Sequence, residues 1–253
     1  FNGMFAFALW DKEKAEIYLV RDASGIKPLY YAVTKQGLAF ASEVRGFAPL
    51  DYLQEENPDW PVYLLAYGHL PEPVTTKKHI KPLQKGCFLQ YHAKTAEWDI
   101  ETFKNHHYSE NIGNAGTATE QIAGVLQKAV KRHLISDAPI GVFLSGGLDS
   151  SIITRLAGNV HTDTLKTLSI IFEDKAYSEK KYQDLLLQKM NCPNWQEILT
   201  EKEFNDKLPQ ILQAMDLPGC DGINTWFISK SAAENGLKAV LSGIGGDELF
   251  GGY

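Results

Sequence analysis

The stretch IGVFLSGGLDSS, residues 140–151, decides the fold class of this chain. It opens with a continuous apolar run, Ile140 to Leu144, of the kind found in strands buried inside a parallel sheet. Two adjacent glycines then permit a tight turn, and the residues from Ser150 to Ala157 predict a helix. A buried strand, a glycine loop and a helix in succession are typical of a doubly wound α/β domain.

The loop between this strand and helix has the chemistry of an anion site. Its two glycines and the helix start expose backbone N–H groups that carry partial positive charge, and Ser145, Ser150 and Ser151 add hydroxyl donors. Asp149 is a poor neighbour for phosphate unless a cation lies between them, which predicts Mg²⁺. The loop is not of the Walker type, because Gly147 stands where that motif requires Lys. The alternative interpretation is a helix-capping turn without a ligand.

A second glycine-rich segment, LSGIGGDELFGGY at residues 241–253, also follows a predicted strand. Its glycines predict a close approach of the backbone to another group, and Asp247 and Glu248 place two carboxylates beside it, which suits metal binding. Loops at the carboxyl ends of parallel strands face one crevice, the usual ligand site of an open sheet. Taken alone, the segment is also compatible with a solvated turn.

The first hundred residues have a β pattern. Short apolar runs separated by turns predict an antiparallel meander with strands at 5–10, 17–20, 29–33 and 38–41. A proline-rich stretch with a short helix at 63–67 follows, and then a hairpin with strands at 87–91 and 96–103. Residues 105–116 are polar and contain glycine, which predicts a linker. We therefore expect an α+β domain at 1–104, followed by an α/β domain at 117–253.

The second domain is predicted to alternate strands and helices. A capping box, Thr117 to Glu120, predicts a helix that ends near Ser136. The remaining pattern predicts a strand at 165–172, helices at 178–190, at 204–215 with a break at Pro209, and at 225–234 closed by Gly236, and a strand at 238–241.

Composition limits the function further. The chain has 25 basic and 31 acidic residues and a net charge of −6, which predicts neither a nucleic-acid partner nor an anionic membrane partner. No apolar run approaches the roughly 18 residues of a membrane-spanning helix and nothing resembles a signal peptide, so we expect a cytoplasmic protein. Cys87, Cys192 and Cys220 have neither disulfide nor zinc spacing and are expected to be ordinary thiols. Because the chain begins with Phe1 inside an apolar run and stops after a glycine-rich segment, we expect it to be an internal piece of a longer protein.

The two glycine segments together strongly resemble the synthetase domain of glutamine-dependent asparagine synthetases, and the first also resembles the pyrophosphate loop of N-type ATP pyrophosphatases. The first hundred residues contain GMFAFALWD at 3–11, RDxxGIKPLYY at 21–31 and FASE at 40–43. These look like the later part of that family's class II, Ntn-type glutaminase domain, whose sheets are antiparallel. The resemblance covers nearly the whole chain.

The resemblance implies a two-site ligase of amino-acid biosynthesis. Glutamine is hydrolysed in the first domain, ammonia passes through an internal tunnel, and ATP adenylates the β-carboxylate of aspartate before ammonia displaces AMP. The implied small-molecule substrates are aspartate, glutamine and ATP, with Mg²⁺, and the resemblance is compatible with a homodimer of the full-length protein. Carried over by position, it implies nucleotide binding by Leu144, Ser145, Gly146, Gly147, Asp149, Ser150, Ser151, Ile170, Ser242 and Gly243, metal binding by Asp149 and Asp247, and catalytic roles for Asp149, Asp247 and Glu248. For Leu144 and Ile170 the alternative to nucleotide binding is that they are strand residues of the hydrophobic core.

Two departures from the family pattern bear on activity. The glutaminase nucleophile of this family is an amino-terminal Cys whose own amine is the base, and the chain has Phe1 and no NGE motif, so the piece itself is expected to be inactive toward glutamine. Ile244 stands where many asparagine synthetases carry an acid, which leaves the acceptor open. The alternatives are a relative that adenylates a different carboxylate and a nucleotide-binding module without catalysis.

Overall fold

The computed structural model describes residues 1, 3–104, 113–160, 165–173, 178–190 and 192–252. Contacts divide the chain into two units, the first made of Phe1–Ser109 and Leu212–Cys220 and the second of Glu110–Ile211 and Asp221–Tyr253. Most of the predicted linker, residues 105–112, lies outside the described residues. Within the described ranges no helix is both long enough and apolar enough to cross a membrane.

The first unit contains two antiparallel sheets. One is built from β1 (Ala6–Asp11), β2 (Glu16–Arg21), β6 (Cys87–His92) and β7 (Trp98–Thr102), which are neighbours in that order. The other contains β3 (Tyr30–Thr34), β4 (Gly37–Ala41) and the short β5 (Lys81–Pro82), with β3 in the centre. Two 3-10 helices, Val44–Phe47 and Asp51–Leu53, and helix α1 (Trp60–Tyr67) join β4 to β5. The β6–β7 hairpin is confirmed.

The prediction of one meander for the first four strands is wrong, because β1 and β2 lie in one sheet and β3 and β4 in the other. The chain leaves the first sheet after β2 because Asp22 gathers the next residues into a compact loop. Its carboxylate accepts hydrogen bonds from the backbone N–H groups of Ser24 at 3.0 Å, Ile26 at 3.1 Å and Lys27 at 3.0 Å. An Asx-type loop of this kind redirects the backbone, which alternating apolar runs do not reveal.

Both faces of the β3 sheet are buried. Tyr31 packs with Leu19 and Leu89 of the first sheet, so the two sheets share one core. Ala32, on the opposite face of β3, packs with Phe47 and other residues of the 3-10 helix region. The first unit is therefore layered from the β1–β2–β6–β7 sheet through the β3 sheet to the 3-10 helices.

The segment Leu212–Cys220 belongs to the first unit although it is distant in sequence. Leu217 packs against the same cluster as Phe47. The Asp216 carboxylate accepts hydrogen bonds from the backbone N–H groups of Val44 at 2.7 Å and Arg45 at 2.8 Å, which begin the first 3-10 helix. An acceptor at a helix start satisfies donors that have no partner inside the helix. A carboxylate 172 residues from Val44 and 171 residues from Arg45 in sequence thus caps this turn.

The second unit contains a parallel sheet. Its strands are β8 (Ile140–Phe143), β9 (Lys166–Phe172), β10 (Asn194–Leu199) and β11 (Ala239–Leu241), and the spatial order is β10-β9-β8-β11. Numbered along the unit, this order is 3-2-1-4, so the sheet grows in one direction from β8 to β10 and then in the other from β8 to β11. The prediction of an α/β unit with a parallel sheet is confirmed.

Helices cover both faces of this sheet. They are α2 (Ala115–His133), α3 (Leu148–Val160), α4 (Lys180–Met190), α5 (Glu201–Ala214), α6 (Gly222–Glu234) and α7 (Gly246–Phe250). Val142 of β8 packs with Val130 of α2 and Ala157 of α3 on one face. Phe143 and Leu168 pack with Ala232 of α6 on the other face. Neighbouring residues of β8 therefore point to opposite helical layers, as strand geometry requires.

Two predictions of local structure in the second unit are wrong, and one strand was not predicted. The capping box is replaced by Asn114, whose side chain accepts a hydrogen bond from the Thr117 N–H at 2.8 Å, so α2 begins before Thr117. Helix α5 runs unbroken through Pro209, because the proline removes one hydrogen bond while the buried Ile211 keeps the helix packed. Strand β10 was not predicted, since its sequence NWQEIL has neither a strict alternation of polar and apolar residues nor a continuous apolar run. The other element boundaries differ from the predictions by a few residues.

Candidate functional site

Both glycine-rich loops follow strands that are neighbours in the parallel sheet. β11 pairs with β8, with Val240 opposite Gly141 and Leu241 opposite Val142. β8 pairs with β9 on its other side, so the reversal in strand order falls between β8 and β11. Loops that leave such a switch point in opposite directions open a crevice at the carboxyl ends of the strands.

The second loop packs directly on the first. A Cβ added at Gly243 would lie 2.9 Å from the Ser150 nitrogen and 3.1 Å from the Asp149 Cβ, and a Cβ at Gly246 would overlap the Asp149 carboxylate. Gly243 therefore requires glycine, because a Cβ there would meet the backbone of the first loop, whereas a Cβ at Gly246 would displace the Asp149 carboxylate. The sequence predicts a close approach of the backbone to another group in this segment. At Gly243 and Gly246 the groups approached are Asp149 and Ser150.

The hydroxyl groups of the first loop hold it closed. Ser150 is buried, and its Oγ donates to the Gly147 carbonyl at 3.1 Å, lies 2.9 Å from the Ser145 Oγ and accepts from the Ser145 N–H at 3.3 Å. The Gly147 N–H donates to the Ser145 Oγ at 3.2 Å. These bonds give the loop a defined shape before any ligand is present.

Several backbone donors of the loop are left over. Among the described residues, the N–H groups of Gly146, Leu148 and Asp149 have no hydrogen-bond acceptor. Two of them belong to the first turn of α3, where the helix dipole is positive. Gly146 has a φ of +100°, and a Cβ there would lie 3.1 Å from the Glu179 carbonyl oxygen, so this position also requires glycine. The loop thus presents unpaired donors on a fixed backbone, which is what binding an anion needs.

The carboxylates of the second loop lie at the start of α7. Asp247 is half-buried and its carboxylate contacts Gly252, while Glu248 is exposed. Asp149, half-buried at the start of α3, rests on Gly246. Within the described ranges no group of three or more His, Cys, Asp or Glu side chains is arranged to hold a metal ion.

The other residues assigned to the nucleotide differ in accessibility. Leu144 is 1% exposed, and its N–H donates to the Leu168 carbonyl at 2.8 Å, which fits the alternative that its side chain belongs to the core. Ile170, Ser151 and Ser242 are half-buried. The Ser242 Oγ accepts from the Ile244 N–H at 3.3 Å, and the Ile244 side chain is 82% exposed at the tip of the loop.

One residue at the loop was not predicted as part of the site. Gln183 of α4 is 1% exposed, and its Nε2 donates to the carbonyl groups of Ser145 at 3.0 Å and Ile170 at 3.4 Å. The sequence carries a signal for it, because Gln183 stands four residues before Leu187 and seven before Met190, on the stripe of α4 that should be apolar.

In the first unit, the RDxxGIKPLYY motif forms a structural clamp. The buried Arg21 guanidinium donates to the carbonyl groups of Lys27 at 3.0 Å, Gly25 at 2.8 Å and Leu83 at 2.7 Å, and it pairs with Glu72 at 2.7 Å. Burial by itself would raise the pKa of the neighbouring Asp22 carboxyl, but hydrogen bonds from four backbone N–H groups outweigh it, and the pKa is lowered. The Asp22 carboxylate therefore stays ionised at neutral pH and continues to hold the loop together.

The cysteines are free thiols. Cys87 is buried and Cys220 is exposed, and Cys192 is half-buried, where burial raises the pKa of its thiol. A raised pKa disfavours the thiolate and hence nucleophilic reactivity.

A cavity of about 330 Å³ lies at the opposite end of the parallel sheet. It is lined by Leu134, Ser136, Ala138, Pro139, Ile140, Leu165 and Lys166, at the amino ends of β8 and β9. None of these residues belongs to the two glycine-rich loops. Ligands of open parallel sheets bind at the carboxyl ends, which favours the crevice over this cavity.

The chain matches two family models. Residues 121–253 match the model described as asparagine synthase, and residues 1–104 match the one described as glutamine amidotransferase domain. Asparagine synthetases (glutamine-hydrolyzing) 1 and 2 of Bacillus subtilis strain 168 are 34% and 31% identical to it, over 100% and 99% of this chain. The chain spans 40% and 36% of the length of these relatives.

Among solved structures, an NH3-dependent NAD synthetase from Campylobacter jejuni is similar with a TM-score of 0.36 and 17% identity, over 56% of this chain and 62% of that one. A score of this size does not by itself establish a common fold. The asparagine synthase model, by contrast, covers more than half of the sequence. The chain belongs to the asparagine synthase family.

Proposed function

We propose that the second unit binds Mg·ATP in the crevice beyond β8 and β11, and that the whole protein is a glutamine-hydrolysing asparagine synthetase. Such an enzyme converts aspartate, glutamine and ATP into asparagine, glutamate, AMP and pyrophosphate. The observation that carries the proposal is the pair of packed loops, in which free backbone donors of the first loop lie next to Asp149, and Asp149 rests on Gly246 of the second.

The loop suits adenylation more than transfer of a terminal phosphate. In adenylation the acceptor carboxylate attacks the α-phosphorus and pyrophosphate leaves, so negative charge develops on the leaving group. The N–H groups of Gly146, Leu148 and Asp149, which have no acceptor among the described residues, are fixed donors that stabilise such charge without reorganisation. No lysine is present at position 147, where a γ-phosphate site of the Walker type requires one.

The residues present fit a magnesium ion that is bound together with the nucleotide. Mg²⁺ is commonly held by one or two carboxylates, with phosphate oxygens and water as the other ligands. Asp149 and Asp247 are the carboxylates that would hold it, and the described residues contain no cluster of three or more ligands that would hold it alone. When bound, the ion neutralises charge on the phosphates. Glu248 is exposed on α7, and we propose that it acts on the carboxylate that accepts the adenylyl group.

The finer architecture is also part of the proposal. The 3-2-1-4 strand order with helices on both faces supports a doubly wound ATP pyrophosphatase domain. The face-to-face antiparallel sheets support the later part of an Ntn-type glutaminase domain for the first unit. The boundaries 1–104, 105–116 and 117–253, a cytoplasmic location and a homodimer of the full-length protein remain predictions.

Calorimetry with Mg·ATP tests the nucleotide site. We expect the chain to bind Mg·ATP and Asp149→Asn to bind it at least about tenfold more weakly, since a charge-assisted contact is worth roughly 1.5–3 kcal/mol. Arg155→Gln, an exposed change on α3, is the matched control and should leave binding unaltered. If the parent chain shows no heat of binding with Mg·ATP, the nucleotide site is rejected. The second unit is then a module that does not bind this ligand.

Exchange of pyrophosphate into ATP by the full-length protein tests the acceptor. Asparagine synthesis predicts exchange that depends on aspartate. A second candidate, a relative that adenylates a different carboxylate, is favoured by Ile244, because an apolar side chain 82% exposed at the loop tip cannot do acid or electrostatic work. Exchange supported only by another carboxylic acid would establish that candidate and reject asparagine synthesis.

A further inference from the structure

Gln183 is buried at the point where β8 and β9 separate. The register between these strands ends with Phe143 opposite Leu168, and the Leu144 N–H donates to the Leu168 carbonyl. Beyond this point the Gln183 carboxamide donates to the carbonyl of Ser145, which follows β8, and to the carbonyl of Ile170, which lies in β9. The side chain therefore bridges the two diverging main chains where the ladder of backbone hydrogen bonds has ended.

The two polar atoms of this side chain are used unequally. Nε2 has two acceptors, whereas Oε1 is buried and has no partner among the described residues. A buried acceptor without a partner is unfavourable, and a residue that accepts this cost is expected to have a compensating role. The compensation lies in the two N–H donors, because they make the hydrogen bonds of this side chain among the described residues.

The bond to Ser145 sets the direction of a donor in the loop. The carbonyl of Ser145 and the N–H of Gly146 belong to one planar trans peptide and point in opposite directions. With the carbonyl held by Gln183, the Gly146 N–H is turned away from α4, and it is one of the donors that no described residue occupies.

We infer that Gln183 is a positioning residue for the nucleotide loop, which it serves by holding the Ser145–Gly146 peptide so that the Gly146 N–H is available to a phosphate. The inference rests on the proposed function for the identity of the anion. Gln183 acts through the loop backbone and not by touching the nucleotide, so its removal should loosen the loop even without ligand.

Nuclear magnetic resonance on the ligand-free chain tests this directly. In the parent, we expect ¹⁵N order parameters near 0.85 for Gly146 and Gly147, typical of a rigid backbone, and in Gln183→Met values that fall toward about 0.6. Gln183→Leu, which is apolar and also lacks both donors, should do the same. Gln188→Met, on the exposed side of the same helix, is the matched control and should leave both values unchanged. Parent-like order in either variant at position 183 would overturn the inference.

Binding gives the second readout. For Gln183→Met we expect the Kd for Mg·ATP to rise at least fivefold, whereas a role in stability alone would lower the Tm and leave the Kd of the folded protein unchanged. An unchanged Kd would therefore refute the positioning role. If the parent itself binds no Mg·ATP, the proposed function fails, and the order parameters alone then decide the role of Gln183.

A measurement on the parent covers the case in which no variant at position 183 folds. Both Nε2 protons of Gln183 should exchange with solvent at least tenfold more slowly than those of the exposed Gln188. Equal exchange rates for the two side chains would show that the carboxamide is not held, and would overturn the inference.

Discussion

The packing of the second glycine loop on the first makes a sharp prediction for Gly246→Ala. The three atoms nearest to a Cβ at this position all belong to the Asp149 carboxylate, with Cγ at 2.5 Å and Oδ1 at 3.1 Å. Because carbon atoms in contact lie about 3.5–4.0 Å apart, the carboxylate must move by about 1–1.5 Å. The new methyl group thus displaces the side chain that we assign to Mg·ATP.

The magnitude follows from this displacement. Overpacking by one methyl group costs about 1–3 kcal/mol of unfolding free energy, and we expect the lower part of that range because a side-chain end can swing aside. A misplacement of about 1 Å in a reacting or binding group can cost up to about a hundredfold, which is about 2.7 kcal/mol, so binding of Mg·ATP should lose at least as much free energy as stability does. Gly246→Ala is therefore expected to remain folded and to bind Mg·ATP at least tenfold more weakly.

A double-mutant cycle identifies the colliding group. If the collision is with the Asp149 carboxylate, Asp149→Ala should remove most of the stability cost of Gly246→Ala, leaving less than about 0.5 kcal/mol. The measurement is urea unfolding followed by amide exchange in α3, which reports on the second unit. Additive costs for the two substitutions would refute the reasoning, because they would show that Gly246 and Asp149 do not interact. Gly124→Ala in α2, where no atom lies within 4 Å of the new Cβ, is the matched control.

The remaining predictions concern other glycines and two carboxylates of the first unit, Asp216 and Asp22. Gly146→Ala should cost about 1–3 kcal/mol in urea unfolding, because an L-residue is strained at a φ of +100°, and parent-like stability would contradict the assigned backbone. Gly124→Ala should instead raise helix stability by up to about 1 kcal/mol, measured in the same way. Asp216→Asn should destabilise the first unit by about 1–3 kcal/mol, measured by amide exchange in β3, since it weakens a charged acceptor of two backbone donors. For Asp22 the folded pKa lies below the ordinary 3.8, so its contribution is complete above that pH and is lost as the pH falls through the folded pKa; acid unfolding of Asp22→Asn should lack this component, and identical acid profiles would reject it.

Much of the second unit could be predicted because its signals are local. A continuous apolar run followed by two glycines and a helix pattern predicts β8, the loop and α3 without knowledge of the rest of the chain. Strand β10 escaped prediction because Asn194 to Leu199 has neither strict alternation nor a continuous apolar run, and its pairing with β9 is what makes it a strand. The start of α2 was misplaced for a similar reason. Asn114 and Thr117 are both good N-caps, and the sequence pattern does not say which of them the packed helix uses.

The first unit shows where a local pattern misleads. Four short apolar runs with turns between them have the period of a meander, and each run is a strand. The loop held by Asp22 sends the third and fourth strands into a different sheet, and the Asp216 carboxylate that caps the next turn comes from a segment 172 residues away from Val44. Neither contact leaves a periodic trace in the sequence.

By itself the sequence determined the chemical content of the site. It specified two glycine loops after buried strands, hydroxyl donors and carboxylates in them, and an acidic chain without a basic face, because residue type and short-range periodicity are written locally. Only the tertiary structure decided that β8 and β11 are neighbours, that Gly243 and Gly246 are glycines because Asp149 and Ser150 lie against them, and that Gln183 holds the loop from the next helix. The physical reason is that strand order and buried polar partners depend on contacts between distant segments, and those form only when the whole unit packs.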